Sequence, residues 1–312
     1  MFVMKKILNS FYLYFQNPKL FLLFMVDKLS FLFPDKTFLS LRYRLKIGRL
    51  LNVKNPKSFN EKLQWLKLYD RRPEYTTYVD KYKVREYIAK TIGEEYLIPL
   101  LGVWDKPDEI DFDKLPNQFV LKCNHDSGNV CVCKDKSTFD IDTAKAKLQK
   151  SLDTDYYLNV REWPYKNVPR KIIAEKYLVD ESETSSLRDY KFMCFDGKVK
   201  CSFVCSDRFS KEGLHVTFFD TDWNVLPFER HYPSRQEGLP KPKCYDEMVS
   251  LAEKLSMDIP FVRVDFYEIN GKVYFGELTF YPGSGFEEFT PRSADEWLGS
   301  FIKLPNKKRS SL

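Results

Sequence analysis

The chain has 312 residues, of which 43% are hydrophobic and 16% aromatic, and this composition excludes a largely disordered protein. The formal net charge is +6, from 50 basic and 44 acidic residues. Such a mixed, mildly basic surface permits anionic substrates. It lacks the clustered Lys and Arg of nucleic-acid-binding proteins, so we expect no nucleic-acid partner.

The cysteines and histidines indicate a reducing compartment. The seven cysteines are odd in number and no C-x-x-C motif occurs, so we predict free thiols in the cytoplasm. Cys131 and Cys133 alternate along a predicted strand, as small core residues do. The chain has three histidines, which excludes a histidine-rich metal site.

Residues 1–34 form an aromatic, apolar segment that polar residues interrupt. Its longest apolar run, Leu20 to Val26, is far shorter than the ~20 residues that span a bilayer, and no signal-peptide cleavage site follows. Two interpretations remain open. The segment is either a pair of amphipathic helices on the inner face of the cytoplasmic membrane, which we favour, or helices docked on this protein or a partner.

Residues 35–117 carry helical periodicity. Ser58 and Glu61 form a capping-box pattern, and a further helix follows Asp80. Residues 96–103 are typical of an extended segment. No G-x-G-x-x-G and no G-x-x-x-x-G-K-[ST] motif occurs, so neither a standard dinucleotide-binding fold nor a P-loop is supported.

From Phe119 the pattern changes to strands. Residues 119–123 are predicted to form a buried strand with Lys122 near its end, followed by the polar turn 124–129 and the returning strand 130–133. An ammonium and the backbone N–H groups of such a turn can converge on a phosphate. Taken alone, an ordinary hairpin with a surface lysine explains the pattern more simply.

Strands and helices then alternate to the C-terminal end. The predicted elements are a helix over 141–152, a strand over 171–175, a hairpin over 190–204, a strand over 215–220, a helix over 245–255 and a helix over 295–302.

The most informative stretch is the predicted hairpin of residues 261–285, which turns at Asn270-Gly271. A two-residue loop would put Asp265 and Glu277 on opposite faces. A three-residue loop opposes Arg263 to Glu277 and buries a cleanly apolar face, so we predict the three-residue loop.

In that register Arg263, Asp265, Glu277 and Thr279 share one face. Two neighbouring carboxylates suit Mg²⁺, which takes one or two protein carboxylates and leaves room for phosphate oxygens. From these residues alone, a solvated face with a cross-strand ion pair explains the pattern equally well.

Four segments in this order resemble the ATP-grasp fold: residues 122–128, 172–178, 189–191 and 263–279. Residues 175–178 resemble the adenine-binding hinge of D-alanine–D-alanine ligases, and the hairpin resembles their metal site. From about Arg42 onward the sequence is similar to the TupA-like ATP-grasp family, associated with bacterial teichuronopeptide and capsule synthesis. The motifs that carry this resemblance are NPKSFNEKLQWLKLYDRRP, DKYKVREYI, FVLKCNHDSGNV, DYKFMCFDGK, SDR, VRVDFY and FGELTFYPGSG.

The resemblance implies an α+β protein with the ATP-grasp fold, in which two α+β subdomains clasp ATP behind a mainly helical N-terminal region. The implied divisions are residues 1–34 (aromatic segment), 35–117 (helical domain), 118–176 (small lid subdomain), 177–304 (large subdomain with the metal site) and 305–312 (basic tail).

The resemblance also implies roles for individual residues. The ATP-binding residues are Lys122, His125, Asp126, Ser127, Gly128, Glu175, Lys176, Tyr177, Leu178, Asp189 and Lys191. The catalytic residues are Arg263, Lys122 and Arg208. The Mg²⁺ ligands are Asp265, Glu277 and, as a poorer hydroxyl ligand where the ligases have Asn, Thr279. The substrate-binding residues are Gly283, Ser284 and Gly285.

The implied activity is that of an ATP- and Mg²⁺-dependent carboxylate–amine ligase acting through an acyl phosphate. Its implied partners are an amino acid or other amine and a sugar acid or saccharide acceptor, free or lipid-linked, in capsule or cell-surface polysaccharide synthesis. The alternative is a glycosyltransferase that uses a nucleotide sugar, for which Asp220-Thr-Asp222 is the best D-x-D candidate. A non-catalytic scaffold is a third interpretation, which the phosphate-site elements disfavour.

Overall fold

A computed structural model describes residues 17–179, 188–206 and 213–306. The predictions for residues 1–16, for Arg208 and for the tail from residue 307 lie outside the described residues. Within the described ranges, no helix is long and apolar enough to cross a bilayer.

The α-helices of the described residues alternate with short 3₁₀ turns. In chain order they are α1 (Pro18–Lys28), α2 (Asp35–Ile47), α3 (Phe59–Tyr69), α4 (Glu74–Val79), α5 (Val84–Thr91), α6 (Ile141–Leu152), α7 (Tyr156–Val160), α8 (Tyr245–Leu255) and α9 (Ser293–Phe301). The strands are β1 (Leu100–Trp104), β2 (Phe119–Cys123), β3 (Val130–Cys133), β4 (Ile172–Lys176), β5 (Asp189–Phe195), β6 (Lys198–Ser206), β7 (His215–Phe219), β8 (Glu229–Arg230), β9 (Val262–Ile269), β10 (Lys272–Thr279) and β11 (Phe289–Thr290).

The smaller sheet is antiparallel, with strand order β1-β4-β2-β3. Helix α6 packs on one face, where Cys131 and Cys133 are buried beside Leu148. The predicted alternation of the two cysteines is confirmed, since Val130 and Val132 point outward. Strand β1 also belongs to this sheet. The boundary predicted at residue 117 puts β1 and its partner β4 in different subdomains. The prediction assigned β1 to the helical domain because helices precede it in the sequence.

The larger sheet is antiparallel, with order β10-β9-β5-β6-β7. Its core is continuous with the N-terminal helices, because Phe59, Leu63 and Tyr75 belong to the same buried cluster as the strands. The predicted capping box starts α3, since Ser58 accepts from the N–H of Glu61 and the Glu61 carboxylate accepts from the N–H of Ser58. Helices α3 to α5 are therefore scaffold for the large sheet.

The hairpin of β9 and β10 corrects the predicted register. Ile269 pairs with Lys272, so the loop is the two residues Asn270-Gly271, both at positive φ (52° and 74°). The prediction of a three-residue loop was wrong, because Asn-Gly supplies both left-handed residues that the tighter turn needs.

The predicted polar face nevertheless forms, because a β-bulge at Gly276 shifts the pairing between Phe275 and Glu277. Beyond the bulge Glu277 pairs with Asp265, and Thr279 pairs with Arg263. A Cβ at position 276 would lie 3.1 Å from the carbonyl oxygen of Asp265, which is close enough to disturb the bulge. One glycine thus returns the two carboxylates to the same side of the sheet.

Candidate active site

The centre of the site is a buried ionic network on the polar face of the large sheet. Arg263, 8% exposed, donates from Nε and Nη2 to the two oxygens of Asp265, at 2.6 Å each. Nη2 also donates to Glu277 Oε1 at 2.7 Å and to Thr279 Oγ1 at 2.9 Å. The prediction that these four side chains share one face is confirmed; Arg263 and Asp265 are buried there, whereas Glu277 and Thr279 are half-buried.

Strand β5 adds Asp189 and Lys191 to this network. Lys191 Nζ contacts Asp265 Oδ2 at 2.5 Å and also pairs with Asp189. Burial would lower the pKa of Lys191, but Asp189 and Asp265 outweigh it and raise the pKa, so the ammonium stays charged. Asp189 Oδ1 is buried and accepts no hydrogen bond within the described residues. An orphaned carboxylate oxygen of this kind suits a donating hydroxyl such as that of a ribose.

Glu277 remains ionised in this network. Burial alone would raise its pKa, but Arg263, Lys191 and Lys81 more than offset burial and hold the pKa at about 2. Its side chain is 37% exposed, so the carboxylate faces the cleft as well as the network.

On the facing small sheet, Lys122 lies near the end of β2 and is held by a carboxylate. Lys122 Nζ pairs with Glu175 Oε2 at 2.6 Å, and Arg85 Nη1 lies 3.7 Å from the other oxygen of Glu175. The Glu175 side chain therefore orients the predicted phosphate lysine. These contacts occupy the Glu175 side chain only, and its predicted place in the adenine hinge stays a prediction.

The turn after β2 divides into a buried and an exposed half. His125 and Asp126 are 2% and 4% exposed, and both side chains contact Ser151 of α6, through its carbonyl and hydroxyl oxygens respectively. Their side chains therefore fix the turn, and the predicted binding of ATP by His125 and Asp126 stays a prediction. Ser127 and Gly128 are exposed, and their predicted contact with phosphate stays a prediction.

Lys81 is a site residue that the sequence reasoning missed. Its ammonium donates to the carbonyl oxygen of Asp126, and it lines a small cleft together with Gly276 and Glu277. Burial lowers the pKa of Lys81, against the attraction of Glu277. The ammonium thus lies between the lid turn and the hairpin, on the side where phosphates would enter.

Three polar contacts place Lys81 there. Asp80 Oδ1 accepts from the N–H of Tyr82 and from the side-chain amide of Asn124, and the N–H of Lys81 donates to the carbonyl of Asn124. The segment 80–88 is one that carried the family resemblance, but a single Asp-Lys pair has no distinctive spacing. Only the long-range contact to residue 124 identifies it.

The predicted hinge follows β4. The N–H of Lys176 already donates to Pro99, at 2.9 Å. Tyr177 and Leu178, in contrast, make no backbone hydrogen bond with any other described residue. Backbone groups of a hinge can pair with the hydrogen-bonding edge of a planar base, and the contact of Tyr177 and Leu178 with adenine stays a prediction.

The predicted substrate loop, Pro282–Gly285, is held from behind by one face of α3. Gln64 donates to the carbonyls of Ser284 and Gly285 at 3.0 and 2.8 Å, and Lys67 donates to the Ser284 carbonyl at 2.8 Å. Asn60, one turn earlier, donates to the carbonyl of residue 287. A Cβ at Gly285 would lie 2.4 Å from the Gln64 amide, so only glycine fits there.

Lys67 and Glu162 are both buried, and both contact Ser284 of this loop. The Ser284 hydroxyl donates to Glu162 at 2.5 Å and lies 3.2 Å from the Lys67 ammonium, which also donates to the carbonyl of Val160. Burial lowers the pKa of Lys67 to about 7, against the attraction of Glu162. Burial raises the pKa of Glu162. The helix α3 also contains Glu61 and Lys62, so the sequence alone does not set Asn60, Gln64 and Lys67 apart from ordinary polar residues of a helix.

The donor set fits one Mg²⁺ ion carried with a nucleotide. Among residues 17–179, 188–206 and 213–306, no three or more His, Cys, Asp or Glu side chains form a metal cluster. Mg²⁺ in phosphate-transfer sites needs only one or two carboxylates. Asp265 is 2% exposed with both oxygens bonded to Arg263, so Glu277 is the more accessible ligand. The Thr279 hydroxyl donates to Glu277 at 2.9 Å and supports it.

A comparison with curated proteins gives no match. Among solved structures, the chain is similar to D-alanine–D-alanine ligase from Bacillus anthracis complexed with ATP, at 18% identity, with 65% of this chain and 55% of that chain covered and a TM-score of 0.39. It is also similar to D-alanine–D-alanine ligase from Helicobacter pylori, at 16% identity, with 81% of this chain and 68% of that chain covered and a TM-score of 0.40. For the ATP-grasp ligase PsnB complexed with minimal precursor, Mg and ADP, the identity is 11%, the coverage is 86% of this chain and 71% of that chain, and the TM-score is 0.38.

The chain thus spans little more than half of the Bacillus anthracis ligase, and at these values we draw nothing from the structures about individual residues. The family comparison is stronger. The model of the family described as TupA-like ATPgrasp matches residues 61–303, which include both sheets and the whole network around Arg263. The α+β ATP-grasp fold expected from the sequence is confirmed, and the chain belongs to the TupA-like ATP-grasp family.

Proposed function

We propose that the chain is an ATP-dependent carboxylate–amine ligase that works through an acyl phosphate. The observation that carries this proposal is the cleft where Lys81, whose ammonium contacts the turn after β2, lies beside the Glu277 carboxylate of the large sheet. Arg263, Asp265, Glu277 and Lys191 form one ionic network on the large sheet, and Lys122 pairs with Glu175 on the small sheet. A carboxylate beside ammonium groups suits Mg²⁺-bound phosphates.

The nucleotide would bind between the two sheets. Lys81 and Lys122 would contact the phosphates, and each would exchange a present partner, the Asp126 carbonyl or Glu175, for phosphate oxygen. The Asp189 carboxylate would accept from the ribose. Glu277 would hold Mg²⁺, and Asp265 would join it once Arg263 or Lys191 releases one of the Asp265 oxygens. When bound, Mg²⁺ neutralises negative charge on the phosphates.

The reaction itself would need no side-chain nucleophile. A substrate carboxylate oxygen attacks the γ-phosphorus, the bond to the β-phosphate oxygen breaks, and ADP leaves. The nitrogen of a neutral amine then attacks the acyl carbon, phosphate leaves, and the amine loses a proton to give an amide. Arg263 would stabilise negative charge on the transferring phosphoryl group, and such enzymes gain most of their rate from that stabilisation.

The acceptor would bind at the loop of residues 282–285. The implied acceptor is a sugar acid or saccharide precursor of a cell-surface polysaccharide, free or lipid-linked, and the implied amine is an amino acid. In support, the loop follows β10 of the hairpin that carries Arg263, and Gln64 and Lys67 hold its carbonyl groups. Such rigidity suits positioning of an acyl group for transfer.

The glycosyltransferase alternative has less support. Asp220 of the best D-x-D candidate uses Oδ1 to accept from the N–H groups of Asp222 and Asn224, at 2.9 and 2.8 Å. This carboxylate closes a turn, and the described residues contain no group of three or more His, Cys, Asp or Glu side chains that could hold a metal ion there.

Consumption of labelled substrates tests the proposal. The protein is incubated with Mg²⁺, a panel of sugar acids and amino acids, and either ATP or UDP-sugars, with hydroxylamine added to trap acyl phosphates. We expect ADP, phosphate and a hydroxamate from ATP with the correct sugar acid. UDP release from a nucleotide sugar with ATP untouched would overturn the proposal.

A further inference from the structure

Helix α1 is apolar on both of its sides. Val26 packs into a small core with residues of α2, and Leu23 is buried too. On the outer side Leu20 and Leu22 are 44% and 50% exposed. A helix at a water-facing surface normally has a polar outer face. The apolar outer face of α1 therefore indicates a surface that contacts another apolar partner.

The next turn continues the apolar surface. Phe31 and Leu32 are 66% and 62% exposed, among the most exposed large apolar side chains in the described residues. We call Leu20, Leu22, Phe31 and Leu32 the N-terminal apolar patch. Exposed aromatic and leucine side chains in short helical elements are typical of segments that insert shallowly into a lipid interface.

The charged residues near the patch are mostly basic. Asp27, whose side chain is 41% exposed, pairs with Arg42 at 2.8 Å, and Asp35 pairs with Arg71 at 2.7 Å and accepts from the Tyr157 hydroxyl. These are the two acidic residues between positions 17 and 49. The exposed residues of the same stretch that lie outside these pairs and carry a charge are all basic, and we call them the basic rim: Lys19, Lys28, Lys36, Arg44, Lys46 and Arg49.

Three occupants could cover such a patch: a second copy of the chain, residues 1–16, or a membrane. A symmetric pair of copies would bring two basic rims together, which costs free energy. Residues 1–16 lie outside the described residues and carry two further lysines, Lys5 and Lys6. Anionic headgroups complement the rim, and acyl chains complement the patch.

We propose that the N-terminal apolar patch and its basic rim bind the surface of an anionic lipid membrane. The patch also has a connection to the active site. Phe286, directly after the substrate loop, packs in the same small core as Val26 and Phe38. Membrane binding would therefore bring the loop of residues 282–285 near the lipid surface. The proposal about the membrane stands whatever substrate that loop binds.

Vesicle flotation with the full chain tests this proposal. The vesicles are phosphatidylcholine alone, or phosphatidylcholine with phosphatidylglycerol at a ratio of about 3:1. We expect flotation only with phosphatidylglycerol, and release by high salt. A Lys19→Gln, Lys28→Gln, Lys36→Gln variant should bind about 100-fold more weakly, since each lysine near an anionic surface contributes about fivefold. Phe31→Ser with Leu32→Ser should weaken binding at least tenfold.

Matched control variants remove similar side chains elsewhere. Met257→Ser deletes an apolar side chain that is 63% exposed, and Lys90→Gln with Lys114→Gln removes two lysines whose side chains are 74% and 85% exposed. We expect these controls to float like the unchanged protein. Thermal unfolding of every variant shows that the fold is kept.

Three results would overturn the proposal. The first is failure of the full chain to float with anionic vesicles. The second is equal loss of binding in the control variants, which would mean a non-specific charge effect. The third is a concentration-dependent dimer that Phe31→Ser dissociates without any vesicle binding, which would assign the patch to a second copy.

Discussion

Replacing Lys81 by alanine probes the residue of the site that only the folded structure identifies. The change removes an ammonium that donates to the carbonyl of Asp126 and lines a cleft with Glu277. In the proposed complex this ammonium contacts a phosphate of ATP. Nucleotide binding should therefore weaken, and the stability of the free protein should change little.

The magnitude follows from what Lys81 exchanges on binding. A hydrogen bond to a charged group contributes about 1.5–3 kcal/mol, which corresponds to about 10- to 150-fold in the dissociation constant of MgATP. We expect the lower half of that range. The ammonium already has a carbonyl partner in the free protein, and burial lowers its pKa, so part of the gain is offset before ATP arrives.

Calorimetric titration of MgATP into wild-type, Lys81→Ala and Lys83→Ala protein measures the effect. Lys83 is exposed at the N-cap of α5, two residues after Lys81, and serves as the matched control. Lys81→Arg, which keeps the charge, should recover part of the affinity. A dissociation constant for Lys81→Ala within twofold of the wild type, in a variant with unchanged unfolding temperature, would refute the assignment of Lys81 to the phosphates.

Three further predictions follow from the hairpin and the substrate loop. Asp265→Asn and Glu277→Gln should each lower MgATP turnover at least 100-fold with the fold kept, and near-normal turnover in both would contradict the metal assignment. The part of the unfolding free energy that depends on ionised Glu277 should be fully present above pH 4.5 and lost as the pH falls toward about 2. Chemical denaturation of Glu277→Gln across that pH range should show no such loss. The same loss in the variant would mean that another group titrates. Gly276→Val should destabilise the protein by about 1–3 kcal/mol and displace the carboxylates, and wild-type denaturation midpoint and turnover together would show that the bulge tolerates a side chain.

Local sequence signals predicted several elements well. The helices over 141–152 and 245–255 have the boundaries that their periodicity predicts. The capping box that was predicted for Ser58 and Glu61 also forms. These elements are decided by residues close in sequence. The polar face of the hairpin was also predicted, although for a wrong reason, since the bulge at Gly276 and not a longer loop aligns Asp265 with Glu277.

The parts that sequence reasoning missed depend on distant contacts. Strand β1 joins the small sheet by pairing with β4, about seventy residues later. Lys81 reaches the site because Asp80 bonds to Asn124. Gln64 belongs to the site because it holds carbonyls about 220 residues away. No local pattern distinguishes such side chains from ordinary polar residues of a helix or turn.

The central claim, that ATP activates a carboxylate, is tested most directly by oxygen transfer. The sugar acid that supports ATP consumption is labelled with ¹⁸O in its carboxylate and incubated with the protein, Mg²⁺, ATP and the amine, and the phosphate released is examined by mass spectrometry. The account predicts one ¹⁸O atom per phosphate, because the carboxylate oxygen attacks the γ-phosphorus and leaves with it. Phosphate free of ¹⁸O, formed together with the amide product, would contradict the acyl phosphate and with it the proposed function.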